Sequence, residues 1–102
     1  MIIIKLWLDD VRPAPEGYIW ALSVTTAKND ILRYERMGEP IELIDLDYDS
    51  GDYEKDGGPY IKLMDWLLEN NRMYPLAFHS QNSVGLAAMK RMYRRYWLKE
   101  IL

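Results

Sequence analysis

The sequence predicts an α/β protein in which helices cover a small, mostly parallel β-sheet. Two observations favour this fold class. Short apolar segments rich in β-branched residues alternate with longer segments whose apolar residues recur at helical spacing. Proline, glycine and polar residues separate these segments, so the predicted order is strand, strand, helix, strand, helix, strand, helix.

The first two strands are predicted over residues 2–8 and 18–22. The former is almost entirely apolar, which is typical of a buried strand. Two prolines and a glycine mark the intervening segment as a loop of roughly nine residues. Because a parallel crossover normally takes about a dozen residues or more, either this crossover is abbreviated and irregular or the second strand is antiparallel.

The middle of the chain is predicted to contain one helix and one strand. Ser23 is a suitable N-cap, and the apolar residues that follow at helical spacing are Val24, Ala27, Ile31, Tyr34 and Met37. Gly38 and Pro40 then stop the helix. Residues 41–46 return to an apolar, β-branched pattern and form the predicted third strand.

The last part of the chain repeats this alternation. Pro59 suits the first turn of a second helix, whose apolar face consists of Ile61, Met64, Leu67 and Leu68. A short strand over residues 76–79 precedes a last helix, whose core stripe comprises Leu86, Met89, Tyr93 and either Tyr96 or Trp97. Residues 98–102 form either the frayed end of that helix or a short edge strand.

Composition limits the class of protein. A chain of 102 residues fits one domain, predicted over residues 1–102, and 49% apolar residues suffice for a hydrophobic core. The net charge of −3 does not favour nucleic acid through bulk electrostatics. The absence of cysteine excludes disulfides and thiolate metal sites. No signal-peptide pattern and no apolar run near ~20 residues is present, so a cytoplasmic location is expected.

The most informative polar residues follow three of the predicted strands. Asp9 and Asp10 end the first strand, Asp47 and Asp49 end the third, and His79 ends the fourth. If these strands are parallel neighbours, the side chains meet at the sheet edge where open α/β proteins bind ligands. Clustered carboxylates repel one another unless a cation intervenes or a pKa rises. Mg²⁺ is the simplest solution because it takes oxygen ligands and leaves room for a phosphate.

Several of these residues also have structural interpretations. The acidic pair could simply be solvated at the start of a loop. Asp45, Asp47 and Asp49 alternate with period two, which an edge strand with a polar face would also show. We favour a functional interpretation for Asp47 and Asp49, whereas the role of Asp45 stays open. Arg12 could pair with the acids, hold a phosphate through its planar guanidinium or lie on the surface.

His79 is the only histidine, and a lone histidine near a strand end is more often structural than catalytic. However, it lies just before a predicted helix, whose backbone N–H groups and dipole make a natural anion site. Ser80 and Asn82 add hydrogen-bond donors. A phosphate could therefore bridge this helix N-terminus and a metal bound by the aspartates.

A basic stripe on the last helix consists of Lys90, Arg91, Arg94, Arg95 and Lys99. It could contact RNA phosphates. We favour a solvated helix face whose cations lie near the C-terminus, where the helix dipole stabilises them. No extended nucleic-acid surface is therefore expected.

Three segments together resemble the cyclic-phosphate-processing receiver-like domain family, a divergent relative of response-regulator receiver domains. They are LWLDDVRPAP, LIDLDYDSG and FHSQNSVGLAAM, in that order. The best signature is the early LDD-x-R-x-P joined to the spacing of His79, Ser80, Asn82, Gly85 and Met89. The resemblance covers nearly the whole chain.

This resemblance implies a three-layer receiver-like (flavodoxin-like) sandwich with a small, mostly parallel four-stranded sheet, three helices and a truncated first crossover. By the same resemblance, Asp9, Asp10 and Asp47 would hold Mg²⁺ or Mn²⁺. The RNA-repair setting of the family implies action on cyclic phosphate ends. The expected partner is therefore a phosphorylated small molecule or an RNA end, with no membrane involved.

The chain departs from the family pattern at Tyr48, where members often carry a histidine. With His79 as the sole imidazole, a mechanism that needs two histidines is excluded, and phosphodiester hydrolysis must rely on metal-activated water. The receiver lysine has no convincing equivalent either, because Lys99 falls in an ambiguous tail. Ordinary phosphorelay signalling is thereby disfavoured.

These arguments predict a metal-dependent phosphoesterase acting on cyclic phosphate or on phosphorylated nucleotide or RNA ends. The predicted catalytic residues are His79, which protonates the leaving oxygen, Asp47, and Asp49, which orients a water. The predicted phosphate-binding residues are Arg12, Ser80 and Asn82. Two alternatives remain: a divergent receiver in which Asp47 accepts phosphate to switch a partner, and a non-catalytic module that binds a phosphorylated ligand.

Overall fold

A computed structural model describes residues 2–98. Its single four-stranded sheet has the order β2-β1-β3-β4, and all neighbouring strands are parallel. The strands are β1 (Ile4–Leu8), β2 (Ile19–Ala21), β3 (Ile41–Leu46) and β4 (Leu76–Phe78). The α-helices are α1 (Val24–Arg36), α2 (Ile61–Glu69) and α3 (Ser83–Tyr96), and a single 3₁₀ turn covers Gly51–Tyr53.

This architecture confirms the α/β, receiver-like prediction with three helices and a truncated first crossover. The question left open about the second strand is also answered, because β2 pairs parallel to β1. The short Pro-rich connection is therefore an abbreviated crossover without a helix. Within residues 2–98, no helix is long and apolar enough to cross a lipid bilayer.

All three helices pack on one face of the sheet. Parallel strands joined through a helix almost always form a right-handed crossover. The chain moves in the same direction across the sheet from β2 to β3 and from β3 to β4, so α1 and α2 lie on the same side. α3 contacts both α2 and β4. One core cluster accordingly combines strand residues such as Leu6 and Ile44 with helix residues such as Ile31, Leu67 and Met89.

The other face of the sheet is covered only in part, and by an irregular segment. In β1, Ile4, Leu6 and Leu8 point into the core, whereas Lys5 and Trp7 between them are only half-buried. The Tyr18 ring packs edge-on against Trp7, with 5.9 Å between ring centroids. Residues of the β1–β2 connection cover this side only in part, where the resemblance implied a third layer, and we call it the open face.

The third strand has the predicted bounds, and other element boundaries differ from the predictions by one or two residues. β1 starts at Ile4 because its pairing with β3 begins at Ile41, so Ile2 and Ile3 lie beyond the sheet and are exposed. α2 begins after Pro59 rather than at it. Ser23 caps α1 as predicted, accepting a hydrogen bond from the backbone N–H of Thr26. Of the predicted tail, only Leu98 falls within the described residues, and residues 99–102 lie outside them.

Candidate functional site

The strand register brings three predicted site residues into one row. Leu8, Leu46 and Phe78 are neighbours across β1, β3 and β4. The next residue on each strand is polar: Asp9, Asp47 or His79. Sheet-like hydrogen bonds continue to this level, because Asp47 N–H donates to the Leu8 carbonyl at 2.9 Å and His79 N–H donates to the Leu46 carbonyl at 3.0 Å.

Asp9 is the most deeply buried carboxylate of this row, with 1% of its side chain exposed. Its Oδ1 accepts the backbone N–H groups of Val11 and Arg12 at 2.9 and 2.8 Å. Its Oδ2 lies 2.9 Å from Arg12 Nε and 3.0 Å from His79 Nε2. Burial alone would raise the pKa of Asp9, but these hydrogen bonds and the Arg12 charge outweigh burial and lower it.

Arg12 connects the row through its guanidinium. Besides its contact with Asp9, its Nη2 donates to Asp47 Oδ2 at 3.3 Å and to the His79 carbonyl at 2.7 Å. The Arg12 side chain remains 42% exposed. One cation therefore holds together the ends of β1, β3 and β4 and still faces solvent, where it can contact a ligand.

His79 is held on three sides. Its Nδ1 lies 2.6 Å from Asp45 Oδ1, and its Nε2 faces Asp9. Its ring stacks on Trp7 with 3.6 Å between centroids and 6° between planes. A neutral imidazole carries one N–H, so simultaneous hydrogen bonds to both carboxylates require a second proton, on the ring or on a carboxyl group. The orientation of the ring is fixed by its neighbours.

A cavity of about 390 Å³ opens in front of this row. Its lining residues are Asp9, Asp10, Val11, Arg12, Asp47, Asp49, Gln81 and Asn82. Burial raises the pKa of Asp10, and repulsion from Asp9, Asp47 and Asp49 raises it further. Four carboxylates thus face one guanidinium, and the cavity has an excess of negative charge.

The cavity depends on a close backbone approach at Gly51. A Cβ built at this position would lie 2.1 Å from Asp10 Oδ2, and Gly51 has φ of +53°. Only glycine allows the loop after β3 to approach Asp10 in this left-handed conformation. The 3₁₀ turn that begins at Gly51 therefore packs directly against Asp10.

The N-terminus of α3 forms one wall of the cavity. Asn82 caps the helix by accepting the backbone N–H of Gly85 at 3.0 Å, and its Nδ2 donates to Asp49 Oδ2 at 3.1 Å. Ser80 Oγ accepts the backbone N–H of Asn82 at 3.1 Å and so shapes the turn before the helix. The positive end of the α3 dipole favours a negative ligand at this wall.

Gly85 explains how α3 fits so close to β3. A Cβ at Gly85 would lie 2.3 Å from Tyr48 Cγ, so the tyrosine ring packs directly on the helix backbone. Tyr48 therefore fills space between the end of β3 and α3. The position where the family resemblance led us to expect a histidine is used here for packing.

The residues present fit a divalent cation. Asp9, Asp47 and His79 each offer one ligand atom, and these atoms lie within 4.8 Å of one another. Carboxylates and imidazole are both common ligands of divalent metals. A bound cation would also relieve the repulsion that raises the pKa of Asp10. Because Arg12 contacts Asp9 and Asp47, its guanidinium would have to move aside as the cation binds.

The predicted site residues fall into two groups. Asp9, Asp47 and His79 form the tight cluster, while Asp10, Asp49, Arg12 and Asn82 line the cavity around it. His79 and Ser80 are not among the cavity-lining residues; His79 lies behind Asp9. The cluster contains two of the three predicted metal ligands, Asp9 and Asp47, together with His79, whereas the third, Asp10, lines the cavity.

Two residues that hold His79 in place were missed or left open in the prediction from sequence. Asp45 contacts His79, and Trp7 stacks on it. Both lie two residues before a member of the polar row, and side chains two apart on a strand share a face. This two-residue spacing was the signal that the sequence offered. It identifies the contacts with His79 only when the register between the strands is known.

A second depression runs along the outer face of α3. Its volume is about 570 Å³, and its lining residues are Ala88, Arg91, Met92, Arg94, Arg95 and Tyr96. It contains no carboxylate or imidazole and lies on a single helix. We therefore place the functional site at the smaller, acidic cavity.

Comparison with known proteins identifies the family of the chain. The family model described as cyclic-phosphate processing receiver domain matches residues 4–95. Searches of curated proteins and of solved structures returned no significant match. The matched span includes every residue of the cluster and of the cavity lining. The chain therefore belongs to the cyclic-phosphate processing receiver domain family, whose name implies a phosphorylated substrate.

Proposed function

We propose that the protein is a metal-dependent phosphoesterase that hydrolyses a cyclic phosphate at the end of a nucleotide or RNA, with Mg²⁺ or Mn²⁺. The observation that carries this proposal is the charge of the cavity: four carboxylates face a single guanidinium. A phosphate is repelled from such a cavity unless a cation enters with it. Membership of the family supports the choice of a cyclic phosphate.

The proposed ligand-binding roles follow from the acidic strand ends on one side of the cavity and the N-terminus of α3 on the other. Asp9 and Asp47 hold the cation, and Asp10 lines the space beside them. A divalent cation there would neutralise phosphate charge and lower the pKa of a coordinated water. Arg12, with 42% of its side chain exposed, contacts a phosphate oxygen, and the N-terminus of α3 favours the same charge.

The proposed chemistry opens the cyclic ester. Water attacks phosphorus, one phosphorus–oxygen bond to the ribose breaks, and the product is a phosphomonoester with a free hydroxyl. Asp49, held by Asn82, accepts the proton of the attacking water. The leaving oxygen receives a proton from His79 Nε2, whose partner in the structure is Asp9, while Asp45 holds Nδ1. For this transfer Nε2 must exchange Asp9 for the substrate, and His79 then acts as the proton donor and not as a ligand of the cation.

Hydrolysis of 2′,3′-cyclic AMP, followed by ³¹P NMR, tests the proposal. We expect turnover with Mg²⁺ or Mn²⁺, none after chelation with EDTA, and a loss of at least about 100-fold in Asp47→Asn. Asp65→Asn is the matched control, because Asp65 lies on α2 and pairs only loosely with Lys62 at 3.7 Å. Full turnover in EDTA or by Asp47→Asn would exclude the metal-dependent mechanism.

The role of His79 needs its own variant. His79→Gln removes the proton donor but keeps a polar side chain, and we expect a loss of about 10²–10⁴-fold in kcat. Circular dichroism checks that the variant is folded. Undiminished turnover would show that the leaving oxygen takes its proton from elsewhere and that His79 only positions Asp9.

A second candidate function is favoured by the place of Asp47 directly after β3, which matches the phosphate acceptor of receivers. It predicts a hydroxylamine-labile acyl phosphate on Asp47 after incubation with acetyl phosphate. Formation of this adduct without hydrolysis of 2′,3′-cyclic AMP would favour the receiver function. Saturable binding with neither reaction would favour a binding module.

A further inference from the structure

Trp20 is an exposed tryptophan that is hydrogen-bonded to Asp9, one of the residues that line the acidic cavity. It lies on the edge strand β2, and 41% of the residue is accessible to solvent. Its indole Nε1–H donates to the backbone carbonyl of Asp9 at 2.7 Å. The only polar atom of the ring is therefore used to attach it to the first residue of the site, and the remaining ring surface is apolar.

The register places Trp20 on the same side of the sheet as the functional residues. Trp20 pairs with Trp7 across β2 and β1, so both side chains project from the open face. Asp9 follows Trp7 by two residues and shares that face. The Trp20 ring thus lies at the junction between the open face and the row of Asp9, Asp47 and His79.

Packing does not explain the exposure of this ring. Trp20 is outside the hydrophobic core cluster of the described residues and outside the shell packed against it. Exposure of a large aromatic ring to water is unfavourable, roughly in proportion to its accessible apolar area. Its hydrogen bond to Asp9 nevertheless restrains the ring, so little conformational entropy is lost when a flat partner stacks on it.

A nucleobase is the partner that these observations favour. Bases stack on exposed aromatic side chains in many sites for single-stranded nucleic acid, and every base has a flat face to offer. Val11, which is 73% exposed, also lines the cavity and adds apolar surface to its otherwise acidic wall. Neither Trp20 nor Val11 carries a charged group that could select one base over another.

We propose that Trp20 is the platform on which the nucleobase of the substrate stacks, so that the site selects nucleotides and RNA ends over cyclic phosphates without a base. The inference rests on the proposed function, because it takes the acidic cavity as the phosphate site. It makes Trp20 a specificity residue with little preference among the four bases.

Calorimetric titrations with matched probes test this proposal in the presence of Mg²⁺, with His79→Gln in every protein so that hydrolysis does not consume the probes during the titration. The probes are 2′,3′-cyclic AMP and methyl riboside 2′,3′-cyclic phosphate, which carries the same phosphate without a base. Trp20→Leu should raise the Kd for the nucleotide roughly 5- to 150-fold, the range that loss of one stacked base produces. It should leave the Kd for the methyl riboside within about twofold.

Two further variants separate stacking from structure. Trp20→Phe keeps an aromatic face but lacks the indole N–H, and it should retain most of the nucleotide affinity. Tyr53→Leu is the matched control, because Tyr53 is another exposed aromatic residue, 38% accessible, in the 3₁₀ turn. It should leave the affinity for both probes unchanged.

The outcomes distinguish this inference from the proposed function. If Trp20→Leu lowered the affinity for both probes equally, the inference would be overturned, because Trp20 would then act by holding Asp9. Unchanged affinity for both probes would also overturn it. If the methyl riboside does not bind the wild-type protein at all, the phosphate site fails. Adenosine, which has no phosphate, then tests the stacking. The inference is supported if adenosine binds the wild-type protein and not Trp20→Leu, and it is overturned if adenosine does not bind the wild-type protein.

Discussion

The two faces of the sheet are built from alternate residues of the same strands, yet they differ in what stabilises them. Towards the helices, Leu6, Leu8 and Leu46 are fully buried in one apolar cluster. On the open face, Trp7, Asp45 and His79 are joined by ring stacking and hydrogen bonds. The first face is held by burial of apolar surface, and the second by specific polar geometry.

This difference follows from the truncated crossover between β1 and β2. A helix in this connection would cover the open face and would force its residues to be apolar, as in sheets covered on both sides. Without that helix, the ends of β1, β3 and β4 can carry charged groups that face solvent. The site therefore lies where the covering layer is incomplete, and the core beneath it supplies the rigidity.

The largest expected effect is on the helix-covered face. Leu46→Ala should lower the free energy of unfolding by about 2–5 kcal/mol, because it leaves a cavity in the core. Leu43→Ala, on the same strand but only half-buried and outside the core cluster, should cost about 1 kcal/mol or less. Urea unfolding of both variants measures the contrast. Equal losses would show that the open face is packed as tightly as the core.

The second effect concerns the buried carboxylate of the site. Asp9→Asn should destabilise the protein at pH 7 by roughly 1–3 kcal/mol, because Arg12 and His79 lose their charged acceptor. The folded-state pKa of Asp9 is lowered from the ordinary value of 3.8. Its contribution is therefore fully present above pH 3.8 and is lost as the pH falls through the lowered value.

Urea titrations of the wild type and Asp9→Asn at several pH values test this linkage. The difference between the two proteins should shrink as the pH falls below 3.8. Asp52→Asn is the control, because Asp52 is exposed on the neighbouring 3₁₀ turn. A difference that stays constant from neutral to acidic pH would show that the Asp9 charge contributes nothing to stability.

The smallest effect has the opposite sign. The pKa of Asp10 is raised by burial and by its acidic neighbours, so its charge opposes folding at pH 7. Asp10→Asn should therefore stabilise the metal-free protein, by about 0.5–1 kcal/mol. The same change should reduce the stabilisation that added Mg²⁺ gives, since metal binding and folding are linked. Thermal unfolding with and without Mg²⁺ measures both; a loss of stability without metal would contradict the prediction.

Much of this fold could be predicted because its local signals are strong. The N-cap at Ser23, the prolines of the first connection and the apolar run before Asp47 each act within a few residues. Boundaries were less accurate where they depend on a partner. Ile2 and Ile3 have the side chains of a strand, but β1 begins only where β3 offers backbone groups to pair with.

The convergence of the candidate site residues could be predicted from the sequence, but their contacts could not. That Asp9, Asp47 and His79 converge follows from parallel neighbouring strands, which the chain order and the family resemblance both implied. That both nitrogens of His79 face carboxylates, and that Arg12 bridges Asp9 and Asp47, depends on side-chain packing across three strands. No local pattern encodes those distances.

By itself, the sequence determined the order of strands and helices, the short Pro-rich connection between the first two strands and the set of polar residues at the strand ends. These follow from periodicity, turn residues and caps, which act locally along the chain. Only the tertiary structure decided the sheet order and register, the side of the sheet that stays open, and the pairing of His79 with Asp45. Those features depend on which residues distant along the chain become neighbours, and such contacts form only when the whole core is assembled.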